Sequence, residues 1–214
     1  MSADRTARPG NGAVPTRSDA RRNRERVLTA AREIFAERGL DTQMDEVASR
    51  AGVGLGTVYR HFPTKAALAA ELIADKFDTM ALAARSAADE RAGGQAALEE
   101  ALRRALGQLE SDAGARAAMA GSTHLDHTGV QTALRNFLDT LGTALARAQA
   151  EGTTRADITV SDLGMILCGM SASIDSRSYT GWERHLALVF DGIRVAAGHA
   201  ALPAARSRPG PKTS

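Results

Sequence analysis

The stretch from Thr42 to Lys65, TQMDEVASRAGVGLGTVYRHFPTK, constrains this chain more than any other. Thr42 opens a helix, and Asp45 three residues on completes a capping-box pattern. Met44, Val47, Ala48 and Ala51 then fall at helical spacing, and Gly52 ends the run. Val53 plugs the turn into a core. A short helix follows from Leu55 to His61, with Val58 and Phe62 as its clear inward anchors. Pro63 stops it, because proline lacks the N–H and clashes with a continuing turn. Thr64 restarts the chain into a fourth helix, whose stripe is Leu68, Leu72, Ile73, Phe77 and Met80. Helices as short as the second and third are unstable alone and need a longer neighbour to pack on. One precedes them, from Arg22 to Arg38, with Val27, Leu28, Ala31, Ile34 and Phe35 inward and Gly39 as C-cap.

The rest of the chain reads as helix too, so the fold class expected is all-α. Alanine, leucine and arginine are abundant and aromatics amount to 4% of residues. No alternating run of Val, Ile, Thr and aromatics makes a strand. Further helices are expected at 94–110, 112–121, 128–150, 160–174 and 182–198. Residues 1–20 and 202–214 are rich in Gly, Pro, Ser, Thr and Arg and read as a disordered arm and tail. Between them lie a helix-turn-helix unit at 21–66 and a helical body at 67–201. The single cysteine, Cys168, excludes an intrachain disulfide and a four-cysteine zinc site. No apolar run reaches membrane-spanning length and no signal-peptide hydrophobic region opens the chain, so a soluble, cytoplasmic protein is expected.

A bihelical unit of this size suits the DNA major groove, which admits one α-helix. The charge distribution agrees: residues 1–65 hold 12 Lys/Arg against 8 Asp/Glu, the remainder 15 against 17. On the third helix, Leu55, Gly56, Thr57, Tyr59 and Arg60 face outward. Gly54 and Gly56 leave the approach bare, and the Thr57 methyl suits a thymine methyl. Thr42 and Lys65 stand at helix N-termini, which favour phosphate. Thr42, Tyr59, His61 and Lys65 are therefore read as phosphate contacts that fix register, and Leu55, Gly56, Thr57 and Arg60 as base readers. An ordinary helical hairpin with solvated polar residues competes with this reading. The exposed aromatic and the helix starts on both flanks weigh against it.

These residues carry a resemblance. The block from Arg24 to Phe77 resembles the TetR/AcrR family of bacterial transcriptional regulators. It does so through RVLTAAREIFAERG at 26–39, Thr42, Asp45-Glu46-Val47-Ala48, Ala51-Gly52-Val53, Gly56 to Phe62, and Lys65. Ala67 departs from the glutamate that members often carry there. The resemblance implies an all-helical homodimer with an N-terminal DNA-binding head and a C-terminal body that binds an effector and dimerises. It also implies a palindromic double-stranded operator, released when a small molecule occupies the body. A non-specific architectural DNA-binding protein without an effector is the alternative.

In the body, helices 160–174 and 182–198 are apolar on more than one side and so need burial on more than one side. Gly169, Ala172, Leu188, Gly192 and Val195 are the residues expected at a dimer interface. Met119, His124, Phe137, Leu141, Met165 and Cys168 are the candidates for an effector pocket, since methionines and a few polar groups suit an adaptable apolar cavity. His124 and His127 with Cys168 mimic a metal site, but two histidines three apart in a polar loop are more often solvated, and no metal is expected. No phosphate loop, dinucleotide glycine fingerprint, serine elbow or His-Glu-x-x-His pattern is present, so neither a cofactor nor an enzymatic activity is expected.

Overall fold

The computed structural model describes residues 17–120, 126–174 and 181–204, and among them every regular element is helical. The order is α1 (Arg17–Arg38), a single 3-10 turn (Gly39–Asp41), α2 (Met44–Ala51), α3 (Leu55–His61), α4 (Lys65–Glu90), α5 (Gly94–Glu110), α6 (Ala113–Ala120), α7 (Thr128–Ala150), α8 (Val160–Ile174) and α9 (Trp182–Ile193). The all-α expectation holds.

Two cores share α4 and α7, and α6 joins that of the head, where Ala118 of α6 and Val130 of α7 are packed. Leu68, Leu72 and Ile73 of α4 join Val27, Ile34 and Phe35 of α1, Val47 of α2 and Val58 of α3 in the core of the head. Two turns on, Met80, Ala84 and Ala87 of the same helix join Leu98, Leu102, Phe137, Leu141, Leu163 and Leu186 in the core of the body. Phe77 and Met119 pack against both cores. Alanines line much of the α4, α5 and α7 seams, which lets these helices approach closely. At Gly94 a Cβ would come within 2.7 Å of Ala148 Cα.

Several boundaries differ from those read in the sequence, each for a local reason. α1 begins at Arg17, five residues before Arg22 and inside the stretch read as an arm. Ion pairs of Arg22 with Asp19 and of Arg21 with Glu25, at (i, i−3) and (i, i+4), extend it without any apolar stripe. The cap of α2 is Gln43 rather than Thr42, and its reciprocal partner is Glu46 rather than Asp45. α6 starts at Ala113, because Asp112 accepts the Ala115 N–H at 2.9 Å and serves as its cap. α9 ends at Ile193, five residues short of 198. Arg194 turns extended and forms an isolated bridge with Thr154, and its guanidinium bonds Glu99 at 2.7 Å. The segment beyond is tied down through Leu202 N–H to Asp157 (2.9 Å) and Arg155 to Ala200 O (2.7 Å), so the first residue read as tail is hydrogen-bonded.

Candidate nucleic-acid interface

The head is built to hold one short helix outward. α2 is locked at its start, where Gln43 and Glu46 exchange side-chain and backbone hydrogen bonds. Glu46 also accepts from the Thr42 hydroxyl at 2.5 Å and from Arg38 at 2.8 Å. The bonds from Thr42 and from Gln43 N–H hold the Glu46 carboxyl below the usual carboxylate range. Arg50 ties α2 back to α1 through Glu37 and Glu33. The turn after α2 depends on Gly52, whose φ of 63° is the left-handed conformation that lets Gly52 N–H reach Ser49 O and Val53 N–H reach Ala48 O. Its carbonyl accepts Arg26 from α1 at 3.0 Å.

α3 leaves this turn with one face in and one face out. Val58 and Phe62 are buried, and the Arg24 guanidinium lies 5.4 Å over the Phe62 ring while pairing with Glu71 of α4. On the other side Leu55 (41% exposed), Gly56, Tyr59 (46%) and Arg60 face solvent together, with Thr57 half-buried at their edge. A Cβ placed on Gly54 or Gly56 would meet nothing within 4 Å. The protomer therefore has no internal need of glycine at either position.

Three expected phosphate contacts are placed differently. The Thr42 side chain is buried at 2% exposure and its hydroxyl is committed to Glu46. The Lys65 ammonium donates to Leu40 O (2.5 Å) and Thr42 O (3.0 Å), so it clamps the 3-10 turn to the start of α4 and has one N–H left. His61 turns its Nε2 inward, where it is buried without a hydrogen-bond partner. Burial, with the charges of Arg60 and Arg24 adding to it, pushes the imidazole below its ordinary value. The outward set that remains is Leu55, Gly56, Thr57, Tyr59 and Arg60. Sequence reading missed the Arg24 and Arg50 clamps, because both partners of each lie on other helices.

The body presents a second surface. Met165 (71% exposed) and Cys168 share the outer face of α8 with Gly169 and Ala172, and Leu188 (63%) and Gly192 lie on the outer side of α9. An open groove of about 440 Å³ runs between these helices, lined by Met165, Ile166, Gly169, Met170, Leu188 and Val189. Val195 (59%) is exposed too, but on the extended segment beyond α9. Met165 and Cys168 are thus exposed on the protomer's surface and do not line an interior pocket. Phe137 and Leu141 are packed core at 2% and 0%, and Met119 bridges the two cores. His124 lies outside the described residues. His127 caps α7, its Nδ1 accepting from Gly129 N–H at 3.3 Å.

Comparison with known proteins agrees with this geometry. Residues 27–72 match the model of bacterial regulatory proteins of the tetR family, and residues 93–195 match that of the SbtR-like transcriptional regulator C-terminal domain. The crystal structure of a TetR transcription regulatory protein from Mycobacterium vanbaalenii is 38% identical, with a TM-score of 0.57, and the match covers 84% of this chain and 99% of that one. The chain belongs to the TetR family. An HTH-type transcriptional regulator of Staphylococcus aureus (strain USA300) is 42% identical over 53 residues, which are 24% of this TetR-family chain and 29% of that relative. The chain thus matches under a third of that curated relative's length. FadR from Bacillus subtilis, solved in complex with stearoyl-CoA, shares the fold at 17% identity, with a TM-score of 0.65 over 78% of this chain and 95% of that one. Among the described residues no helix is long and apolar enough to cross a membrane.

Proposed function

We propose that this TetR-family chain is a sequence-specific DNA-binding transcriptional regulator, a repressor that leaves a palindromic operator when a small molecule occupies its body. The observation that carries the reading is the outward face of α3: a surface left bare by Gly54 and Gly56, flanked by Tyr59 and Arg60, on a helix anchored from behind by Val58 and Phe62. Arg60 and Tyr59 supply hydrogen-bond donors for base edges or phosphates, Thr57 and Leu55 supply methyl groups for thymine, and the glycines let the backbone approach.

One such helix covers only a half-site. Two protomers joined through α8 and α9 would set two heads in successive major grooves, about 34–36 Å apart or a multiple of that. The exposure of Met165 and Leu188 supports that pairing, since a monomer gains nothing from apolar side chains held in water on adjoining helices. Effector response is supported by the fold neighbour crystallised with stearoyl-CoA. A coupling free energy of about 1–3 kcal/mol would change operator affinity roughly 5- to 150-fold.

Two alanine variants test the reading. Tyr59→Ala and Thr57→Ala are expected to fold and dimerise as the parent does while losing operator binding in a mobility-shift titration. Normal operator binding by both would remove α3 from the interface. Affinity that is equal for all sequences and collapses with salt would instead favour an architectural protein without an effector.

A further inference from the structure

Among the described residues Lys76 is the one charged side chain that is buried, at 7% exposure, and its place in the α4 stripe between Ile73 and Phe77 is otherwise apolar. Its ammonium donates to Gln108 O at the end of α5 (3.1 Å) and lies 3.1 Å from Asp112 Oδ2. Asp112 is itself nearly enclosed, with 13% of its side chain exposed. Its Oδ1 caps α6 through Ala115 N–H, and its Oδ2 stands 3.6 Å from Arg32 Nε of α1. Arg32 also pairs with Asp75 of α4. One carboxylate therefore ties together the head's first helix, a helix shared by both cores, and the α5–α6 turn of the body.

Beside it, at Gly114, α6 meets α1 with no side chain between them. A Cβ on Gly114 would lie 2.2 Å from Arg32 O and 2.7 Å from Arg32 Cα, so the backbones of α6 and α1 touch. Nothing flexible lies at that point to make room for an added methyl. A buried ion pair is poor evidence for stability, because desolvation offsets much of its attraction. Here two cations from different helices, Lys76 at 3.1 Å and Arg32 at 3.6 Å, converge on the same carboxylate oxygen.

The geometry points to Asp112 as a positioning residue that fixes the angle of the head on the body, through Lys76 and Arg32 together. Its effect on operator binding rests on the function proposed above; its effect on the head's angle does not. With the angle fixed, two heads are presented at one spacing. Without it, each head samples a range of angles, and a two-half-site operator is bound more weakly although every DNA-facing side chain is intact.

The test is a distance measurement on the full chain. In a Cys168→Ser background, spin labels at Asp41→Cys in the head and Ala146→Cys in the body, diluted with unlabelled chain, report the head–body distance within one protomer. The parent is expected to give a narrow distribution. Asp112→Asn keeps the α6 cap but loses the charge, and is expected to broaden it. Gly114→Ala is expected to displace its mean, since the added methyl must push α6 off Arg32. In parallel, Asp112→Asn should lower operator affinity about tenfold and leave affinity for random duplex unchanged, whereas a defect of folding alone would lower both. If Asp112→Asn does not fold, the apolar pair Lys76→Met with Asp112→Leu, which removes both buried charges together, carries the test. That pair should fold and give a broadened distribution. A distribution as narrow as the parent's in Asp112→Asn or in the pair overturns the proposal. If the parent itself selects no operator, the DNA-binding reading fails, and the head–body distance still decides the role of Asp112.

Discussion

Gly52 and Gly56 are four residues apart, and the reasons for glycine at the two are opposite. Gly52 is required from inside: its φ is 63° and a Cβ would come 2.6 Å from the Arg26 guanidinium. Gly52→Ala should destabilise the head by about 1–2 kcal/mol, the cost of a left-handed alanine, read as a lowered midpoint in urea. Gly56 has no such constraint, so Gly56→Ala should leave stability unchanged or raise it by about 0.5–1 kcal/mol through helix propensity, yet weaken operator binding. Equal operator affinity in that variant would mean that nothing approaches the bare side of α3. His61 adds a pH dependence. With its value in the fold pushed below 6.5, the unfolded chain takes up the proton first as pH falls. The head should thus have its full stability above pH 6.5 and lose it progressively below, and His61→Asn should flatten that part of the slope in thermal melts at pH 5 to 7.5. The roles of Gly52 and Gly56 were legible in sequence as a helix stop and a bare approach, but the inward turn of His61 was not. A histidine next to an arginine on a recognition helix reads as a phosphate contact until its ring is seen turned inward.

At the scale of the element, the sequence was most informative where a helix start or stop has local chemistry. Thr64 caps α4 through Ala67 N–H at 3.0 Å, as its position after Pro63 predicted, and the limits of α3, α5, α7 and α8 coincide with those read in the sequence. The Ala67 departure has a measurable counterpart. Ala67→Glu supplies the missing half of a capping box at α4, and its Tm should exceed the parent's with operator affinity unchanged. A lower Tm would show that the fourth helix is not limited by its cap. Legibility failed where the deciding group came from another element. Asp45 and Glu46 are adjacent, and Glu46 is the partner because the cap is Gln43, three residues before it, whose N–H it accepts at 3.0 Å. Thr42 and Arg38 hold the same carboxylate. The end of α9 is set by Thr154 and Glu99, 39 and 94 residues upstream of Ile193 in a chain whose pattern continues apolar. Lys76 did carry a signal: a lysine inside the stripe Leu72, Ile73, Phe77, Met80 must find a partner, although its spacing cannot say which.

For the whole molecule, a boundary between residues 66 and 67 was read in the sequence, which did not foretell that α4 and α7 each serve both cores. α4 is 26 residues, about 39 Å, and serves both cores, so the boundary between units runs along a helix and not through a linker. The interface residues were also only partly separable from the pocket residues. Periodicity puts Met165 and Cys168 on one stripe with Gly169 and Ala172, and the structure shows all four facing outward. Leu188→Glu, at a side chain 63% exposed in the protomer, should halve the mass in sedimentation equilibrium and abolish cooperative binding to a two-half-site duplex; an unchanged mass would move the dimer face elsewhere. The central claim is that α3 reads DNA sequence from a two-fold assembly. Its most direct test is selection of duplex DNA from a random pool by the purified chain at near-physiological salt. The account predicts enrichment of a palindrome whose half-sites lie one helical turn apart or a multiple of it. A pool that stays random, with binding that falls uniformly as salt rises, would contradict it.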